Sequence, residues 1–247
     1  MLTDREPGRY RRQVALFGVE AQERLASARV VIVGAGGLGC PVALYLAAAG
    51  IGEVRLVDGD VVDKTNLNRQ VLHGDCDIGR AKVESAAEKL RAQNPEITVV
   101  ATYAAVDDGN AATLVGGADL IVDATDNYRV RYTLNRVALD AHVPLIHGAV
   151  RGFDGQATTI IPGRTACLEC IIPIAPPEEG ATPVVGTTPG IIGLVQANEA
   201  IKYITGTGDL LTNRLLIWDG RAATMTTLPV ERQEECSACG SGRRSRR

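Results

Sequence analysis

No charge of one sign dominates this sequence. Lys and Arg total 26 against 29 Asp and Glu, a formal net charge of −3, so no overall field recruits nucleic acid. Long hydrophobic runs are also missing. The longest apolar stretch, 41–51, falls far short of the 18 or more residues that a membrane-spanning helix needs. The opening MLTDREPGRYRRQ lacks the apolar segment of a secretory leader. A soluble, cytoplasmic protein with no membrane partner is therefore expected. Disorder is excluded as well, because 45% of the residues are hydrophobic and the 22% that are charged mix both signs, an ordinary globular composition. Lysine is scarce: Lys64, Lys82, Lys89 and Lys202 are the only ones, and the other basic residues are arginines. A GC-rich genome accounts for that bias in general, but not for cations inside motifs. The closing GRRSRR reads as a frayed, disordered basic tail over 241–247 rather than a nucleic-acid arm.

At 247 residues the chain holds one large domain or one domain with an extension. Residues 29–33 are a short β-branched run that leads straight into glycines, 38–49 suit a buried helix, and 53–58 form a second apolar run. Strand, helix and strand in this order make a βαβ unit. The rhythm continues. Val83, Ala86, Ala87 and Leu90 share one face of a helix over 80–93. Strands are expected at 97–101, 120–123 and 145–147, and a helix whose apolar face carries Val130, Leu134, Val137, Ala138 and Ala141. After Gly148 the pattern changes to hairpin-like strands at 156–161, 215–218 and 224–228, with a helix over 190–205 that turns Leu194, Ala197, Ile201 and Ile204 inward. The proline-rich stretch 172–189 reads as a long mobile loop, since proline suits neither helix nor strand. The expectation is a doubly wound, mostly parallel α/β sheet with a mixed β extension at its C-terminal end.

Gly34-Ala35-Gly36-Gly37-Leu38-Gly39 fits G-x-G-x-x-G between a strand and a helix. Its glycines let phosphate oxygens approach the backbone, and the helix start offers free N–H groups. Asp58 ends the next strand, where a carboxylate can accept from ribose hydroxyls. By itself this unit would suit a nicotinamide dehydrogenase. The residues that follow do not, for a polar stretch intervenes with Thr65-Asn66-Leu67-Asn68-Arg69-Gln70, and then Arg80 and Lys82 open a helix. Hydride transfer needs no such set of cations. Nucleotidyl transfer does, because it works by positioning and by neutralising charge. Asp123-Ala124-Thr125-Asp126-Asn127 lies at the carboxyl end of a strand, in the crevice where open α/β sheets bind ligands. Asp126 there either caps the next helix or, left unpaired, holds Mg²⁺ with substrate phosphates.

Two C-x-x-C pairs, Cys167/Cys170 and Cys236/Cys239, supply the four thiolates of a tetrahedral zinc site. Their separation far exceeds that of a compact ribbon, so spacing alone leaves zinc, two disulfides and an exposed redox pair open. Cys40, beside the glycine loop, reads as a small buried filler, and Cys76 as an exposed thiol. His73, His142 and His147 do not cluster in the sequence, and His147, at a strand end, reads as a satisfied structural histidine.

RYRRQ (9–13), GAGGLG (34–39), LVDGD (56–60), TNLNRQ (65–70), GRAKVES (79–85), DATDN (123–127) and the two cysteine pairs, in this order, resemble the ThiF/MoeB/HesA family, relatives of ubiquitin-activating enzymes. The resemblance runs from residue 9 to about residue 240. It implies a Rossmann-like sheet closed by a zinc clip, with the four cysteines meeting on structural Zn²⁺. It also implies ATP and Mg²⁺ as cofactors, and as substrate a small ubiquitin-like sulfur-carrier protein ending in Gly-Gly, whose terminal carboxylate attacks the α-phosphate to give an acyl-adenylate and pyrophosphate. Residue by residue, it implies Gly37 against the phosphates, Asp58 on the ribose, and Thr65, Asn66, Leu67, Asn68 and Arg69 around the triphosphate, with Arg69 stabilising the transition state. Lys82 would contact the triphosphate, Asp126 the Mg²⁺ with Asn127 beside it, and Arg12 would enter the neighbouring subunit's site in a homodimer.

The chain departs from the family in one respect. Many relatives carry a cysteine in the loop before the helix that starts near Gly190, and 181–189 holds none. The expectation is an enzyme that stops at adenylation and leaves sulfur to another protein. The parts implied are an N-terminal helical arm (1–28), a nucleotide-binding core (29–150) and a C-terminal β/zinc and carrier-binding part of the same domain (151–240). Three other functions share features of this sequence: an ATP-dependent tRNA-modifying dehydratase, a NAD-dependent dehydrogenase and a silent scaffold. Against them stand the paired cysteines with no folded basic surface, the arginine-rich second loop, and the retention of Arg12, Arg69, Lys82 and Asp126.

Overall fold

The computed structural model describes residues 6–177, 180 and 183–240. The basic tail at 241–247 lies outside the described residues. Two helices, α1 (Glu6–Phe17) and α2 (Val19–Ser27), precede the strand β1 (Arg29–Val33). Then come α3 (Gly39–Ala49), β2 (Glu53–Asp58), α4 (Lys82–Gln93), β3 (Thr98–Tyr103), α5 (Ala111–Leu114), β4 (Leu120–Asp123) and α6 (Tyr128–Ala141). The C-terminal part adds β5 (Leu145–Arg151), β6 (Asp154–Ile160), α7 (Leu168–Ile171), α8 (Thr187–Thr205), β7 (Arg214–Asp219) and β8 (Thr224–Pro229).

All eight strands form one sheet in the order β3-β2-β1-β4-β5-β6-β7-β8. The first five in that order are parallel, and the rest pair antiparallel. β1 is central and apolar on both faces, as a doubly covered parallel strand must be. Its side chains divide by the two-residue period: Val30 and Ile32 join the core under α3, α4 and α8, while Val31 and Val33 join the core under α6. From β1 the chain crosses first to β2 and later returns to β4 on the other side. The crevice outside Val33, between Val57 and Asp123 in register, is thus the switch point where ligands bind.

The buried face of α4 is the expected one, with Val83, Ala86, Ala87 and Leu90 all fully buried. Two other faces differ from expectation. In α6, Leu139 is buried and Ala141 is exposed. In α8 the inward residues are Ile192, Gly193, Gln196, Ala197 and Ala200, whereas Leu194 is 39% exposed. Packing decides that rotation. A Cβ on Gly193 would lie 2.6 Å from the Leu38 carbonyl and 2.5 Å from Pro41, so α8 meets the start of α3 through its smallest residue and must turn its larger neighbours aside. α8 also begins at Thr187, inside the stretch expected to be loop, and Val184 forms an isolated bridge with Gly152.

The N-terminal helices pack at the far end of α3. Tyr10 is buried against Gly50, its hydroxyl accepts from Asn94 Nδ2 at 2.8 Å, and Gln13 and Gln22 both donate to the Ala49 carbonyl. No helix among the described residues is long and apolar enough to cross a membrane.

Candidate functional site

The glycine loop leaves β1 with Gly34 at φ 101°, a left-handed value that glycine adopts without strain. A Cβ there would sit 2.5 Å from the Ala124 carbonyl, so the loop lies directly on the segment that follows β4. Asp58, at the end of β2, fixes the loop from the other side. Its Oδ2 accepts from the Ala35 amide at 2.7 Å and its Oδ1 from the Asp60 amide at 2.8 Å. Each oxygen keeps a second lone pair for a ligand hydroxyl. Burial pushes the Asp58 pKa up against these two amide bonds and the nearby Lys82.

The polar stretch after β2 folds as a short 3₁₀ turn, Lys64–Asn66, closed by reciprocal capping. Asp63 accepts from the Thr65 amide and hydroxyl, and Asn66 Oδ1 accepts from the Asp63 amide. This turn delivers Arg69 to the glycine loop: a Cβ on Gly37 would stand 3.5 Å from Arg69 Cγ and 3.2 Å from Pro189. A side chain at position 37 would therefore block the approach of any ligand between them. Arg69 Nη1 donates to the Thr65 carbonyl at 2.9 Å and to Asn68 Oδ1 at 3.1 Å. Leu67 is half-buried, and the Asn68 carbonyl sits where only Gly186 lets the later loop come close. Gln70 is buried, and its amide oxygen has no hydrogen-bond partner among the described residues. Lys82, the first residue of α4, is buried and donates to Asp60 Oδ2 at 2.8 Å. Two cations, a helix start and a carboxylate for a hydroxyl thus flank one crevice, which suits a polyphosphate ester.

On the β4 side, Asn127 is the N-cap of α6, accepting from the Val130 amide at 2.9 Å. Asp126 is exposed and takes no part in the cap, so of the two readings of Asp126 capping is the one the geometry removes. Asp123 is fully buried and paired with His147, Oδ2 to Nδ1 at 2.7 Å, while its Oδ1 holds the Thr125 amide and hydroxyl. Burial acts to raise the pKa of Asp123, but the hydrogen bond and charge of His147, with Arg131 and Thr125, hold it below the usual carboxylate range. His147 is thus a satisfied buried histidine that stiffens the loop presenting Asp126. Arg131 went unnoticed in the sequence. It is 4% exposed, donates to the Thr125 carbonyl at 2.7 Å and stacks 4.9 Å from the Tyr128 ring. The signal was available, since Arg131 stands three residues before Leu134 and seven before Ala138 on the face that turns inward.

Arg12 is not brought to this site. It is exposed on α1, whose neighbours Tyr10 and Gln13 contact the C-terminal ends of α3 and α4. The eleven residues of α3 put about 16 Å between that end and the glycine loop.

The four paired cysteines do meet. Their sulfurs all lie within 4.8 Å of one another, with Cys167–Cys170 at 3.8 Å, Cys167–Cys236 at 3.6 Å and Cys170–Cys239 at 3.4 Å. Four sulfurs at ~2.3 Å from one zinc ion stand about 3.8 Å apart, so the cluster fits Zn²⁺. Burial raises the Cys167 thiol and takes Cys239 to about 11, whereas the Gln233 amide and neighbouring thiols outweigh burial at Cys170 and lower it. Cys40 is buried with its pKa pushed up to about 12 by desolvation, an inert thiol; Cys76 is exposed.

Residues 10–238 match the ThiF family. The SAMP-activating enzyme E1 of Haloferax volcanii is 45% identical over 241 residues, which is 95% of this chain and 89% of that protein. The adenylyltransferase and sulfurtransferase MOCS3 of Aedes aegypti is 40% identical over 96% of this chain, but the match covers 56% of the relative, so this chain spans about half the length of the MOCS3 proteins. Among solved structures, E. coli MccB with MccA-N7isoASN superposes with a TM-score of 0.86 at 26% identity, over 96% of this chain and 76% of that one. MccB with ATP gives 0.83 at 27% identity, over 94% and 74%. By sequence along nearly its whole length and by the architecture of its sheet, this chain belongs to the ThiF family.

Proposed function

We propose that this protein is an ATP-dependent adenylyltransferase that activates the C-terminal glycine carboxylate of a small ubiquitin-like sulfur-carrier protein. The observation that carries the reading is the convergence of Arg69 and the glycine loop, where a Cβ at Gly37 would stand 3.5 Å from Arg69 and crowd Pro189 at 3.2 Å, beside a buried Lys82 and a doubly amide-bound Asp58. Attack of a carboxylate on a phosphate brings two anions together, so fixed cations must offset their repulsion and hold the oxygens in line. Asp58 takes the ribose hydroxyls, Gly37 and the turn from Thr65 through Asn68 shape the phosphate site, and Arg69 and Lys82 exchange their protein acceptors for phosphate oxygens. Asp126, exposed at the crevice, would hold Mg²⁺ with Asn127 beside it, and the ion would supply further charge to the departing pyrophosphate. The names of the relatives, a SAMP-activating E1 and an adenylyltransferase, support the same class.

The cysteine cluster would hold Zn²⁺ as a closed structural site that clips 236–239 onto α7. We place the protein in the reducing cytoplasm, where thiols stay available as ligands. Arg12, turned away from its own crevice, serves the site of a second copy in a homodimer. The loop before α8 has no cysteine, so the reaction ends at the acyl-adenylate and another protein supplies sulfur.

ATP–pyrophosphate exchange tests the reading. Label should enter ATP only with Mg²⁺ and a carrier ending in Gly-Gly. Turnover supported by tRNA alone would make the protein a dehydratase. NADH binding without ATP binding would make it a dehydrogenase, and ATP binding without turnover on any carrier a scaffold.

A further inference from the structure

The polar turn does more than deliver Arg69. It lies on the glycine loop in reversed register, with Arg69 against Gly37, Gln70 Nε2 3.6 Å from where a Gly36 side chain would begin, and His73 Nε2 3.1 Å from the Ala35 carbonyl oxygen. Ala35 is therefore held through both of its flanking peptides. Its N–H donates to Asp58 Oδ2 at 2.7 Å, and its oxygen faces His73 and the Cys40 thiol. A carbonyl only accepts, so Nε2 of His73 carries a hydrogen. In the neutral ring Nδ1, 2.9 Å from Ser85 Oγ, accepts from the Ser85 hydroxyl, and Ser85 Oγ in turn receives Lys89 Nζ at 2.8 Å. Lys89 continues to the buried Asp77. This arrangement accommodates a neutral ring at His73, which is 7% exposed.

We propose that His73 is a positioning residue for nucleotide binding: its Nε2–H fixes the Ala35 carbonyl and thereby aims the amides of the glycine loop at the phosphates. The proposal rests on the ATP reading above. The groups facing the ring are Lys82, Ser85 and Lys89 from α4, Asp77 from the preceding turn, Cys40 from α3 and, across the Ala35 peptide, Asp58 from β2. Burial and the two lysines lower the ring's pKa, outweighing the bond to Ala35 and the charge of Asp77, which raise it. Acidification eventually adds a second proton: Nε2 still donates to Ala35, but Nδ1 then donates to Ser85 Oγ beside Lys89, which disturbs the packing of α4 behind the loop.

The experiment is ATP binding by calorimetry between pH 5 and pH 8 for the wild type, His73→Gln and His73→Phe. Glutamine can donate to the Ala35 oxygen and does not titrate; phenylalanine fills the volume and donates nothing. At pH 7.5 the phenylalanine variant should bind ATP about tenfold more weakly, as one lost hydrogen bond implies, and the glutamine variant should stay within a factor of about three. Wild-type affinity should fall more steeply towards pH 5 than that of His73→Gln, a difference that a purely structural role would not produce. Equal ATP affinity in wild type and His73→Phe overturns the proposal, and so do superimposable pH profiles of wild type and His73→Gln, which decide the matter even if the phenylalanine variant does not fold. A wild type that binds no ATP refutes the nucleotide reading instead.

Discussion

Replacing His147 tests whether the buried polar pair beneath the crevice is structural. Both Asp123 and His147 are fully buried, and Asp123 has three donors: His147 Nδ1 at 2.7 Å, the Thr125 hydroxyl at 2.7 Å and the Thr125 amide at 3.1 Å. His147→Phe keeps the volume and removes the one donor to Oδ2 among the described residues, leaving half of a buried carboxylate bare. Breaking a buried pair from one side costs about 3–5 kcal/mol. In a domain of this size each kcal/mol moves Tm by about 2–4 °C, so the fall should be roughly 6–20 °C. The double variant Asp123→Leu/His147→Phe removes both partners together and should recover part of that loss. Urea unfolding of the three proteins at pH 7 measures it. Since Asp123 has a lowered pKa in the fold, its stabilisation is complete above the unfolded carboxylate value and disappears only as pH drops through the lower, folded one, so Asp123 itself adds no pH dependence near neutrality. A His147→Phe protein within about 1 kcal/mol of wild type would refute the reasoning, since the carboxylate would then have found solvent that this geometry denies it.

Zinc should be found at one ion per chain by elemental analysis, and Cys167→Ser, or chelation, should lower Tm and release 236–239 from α7, read as faster hydrogen exchange there. If Arg12 acts across a dimer, a mixture of Arg12→Ala and Arg69→Ala chains should regain up to about a quarter of wild-type activity after subunit exchange, because one hybrid site holds both arginines; no recovery would place Arg12 elsewhere. Asp77 is brought to about 2, its burial outweighed by Lys89 and the Gly74 amide. Its contribution is therefore present above the unfolded value of 3.8 and lost as pH falls from about 4 to about 2, amounting to about 1–2 kcal/mol after allowance for the half-exposed Lys89 and Arg80. Asp77→Asn should flatten the acid limb of the stability profile.

The strands were legible because β-branched runs such as 29–33 and 120–123 end in glycine or aspartate, where a chain must turn. Helix faces were less so. In α8 the choice of face follows the contact of Gly193 with Pro41 and Leu38, a long-range packing fact with no local trace. Arg69, Lys82 and Asp58 could be picked out as candidates from the chemistry of their side chains. The part played by Arg131 and His73 could not be, for each acts on a backbone carbonyl, Thr125 or Ala35, that only the folded chain brings near. The meeting of the two cysteine pairs was likewise beyond spacing alone and came with the β extension that returns 236–239 to α7.

A crystal structure with a non-hydrolysable ATP analogue and Mg²⁺ tests the central claim most directly. It should show the phosphates over Gly36 and Gly37, with Arg69 released from the Thr65 carbonyl onto a phosphate oxygen, Lys82 turned from Asp60 to the same chain, and the ribose on Asp58. A nucleotide bound elsewhere, or one seated in the crevice while Arg69 and Lys82 keep their protein partners, would contradict it.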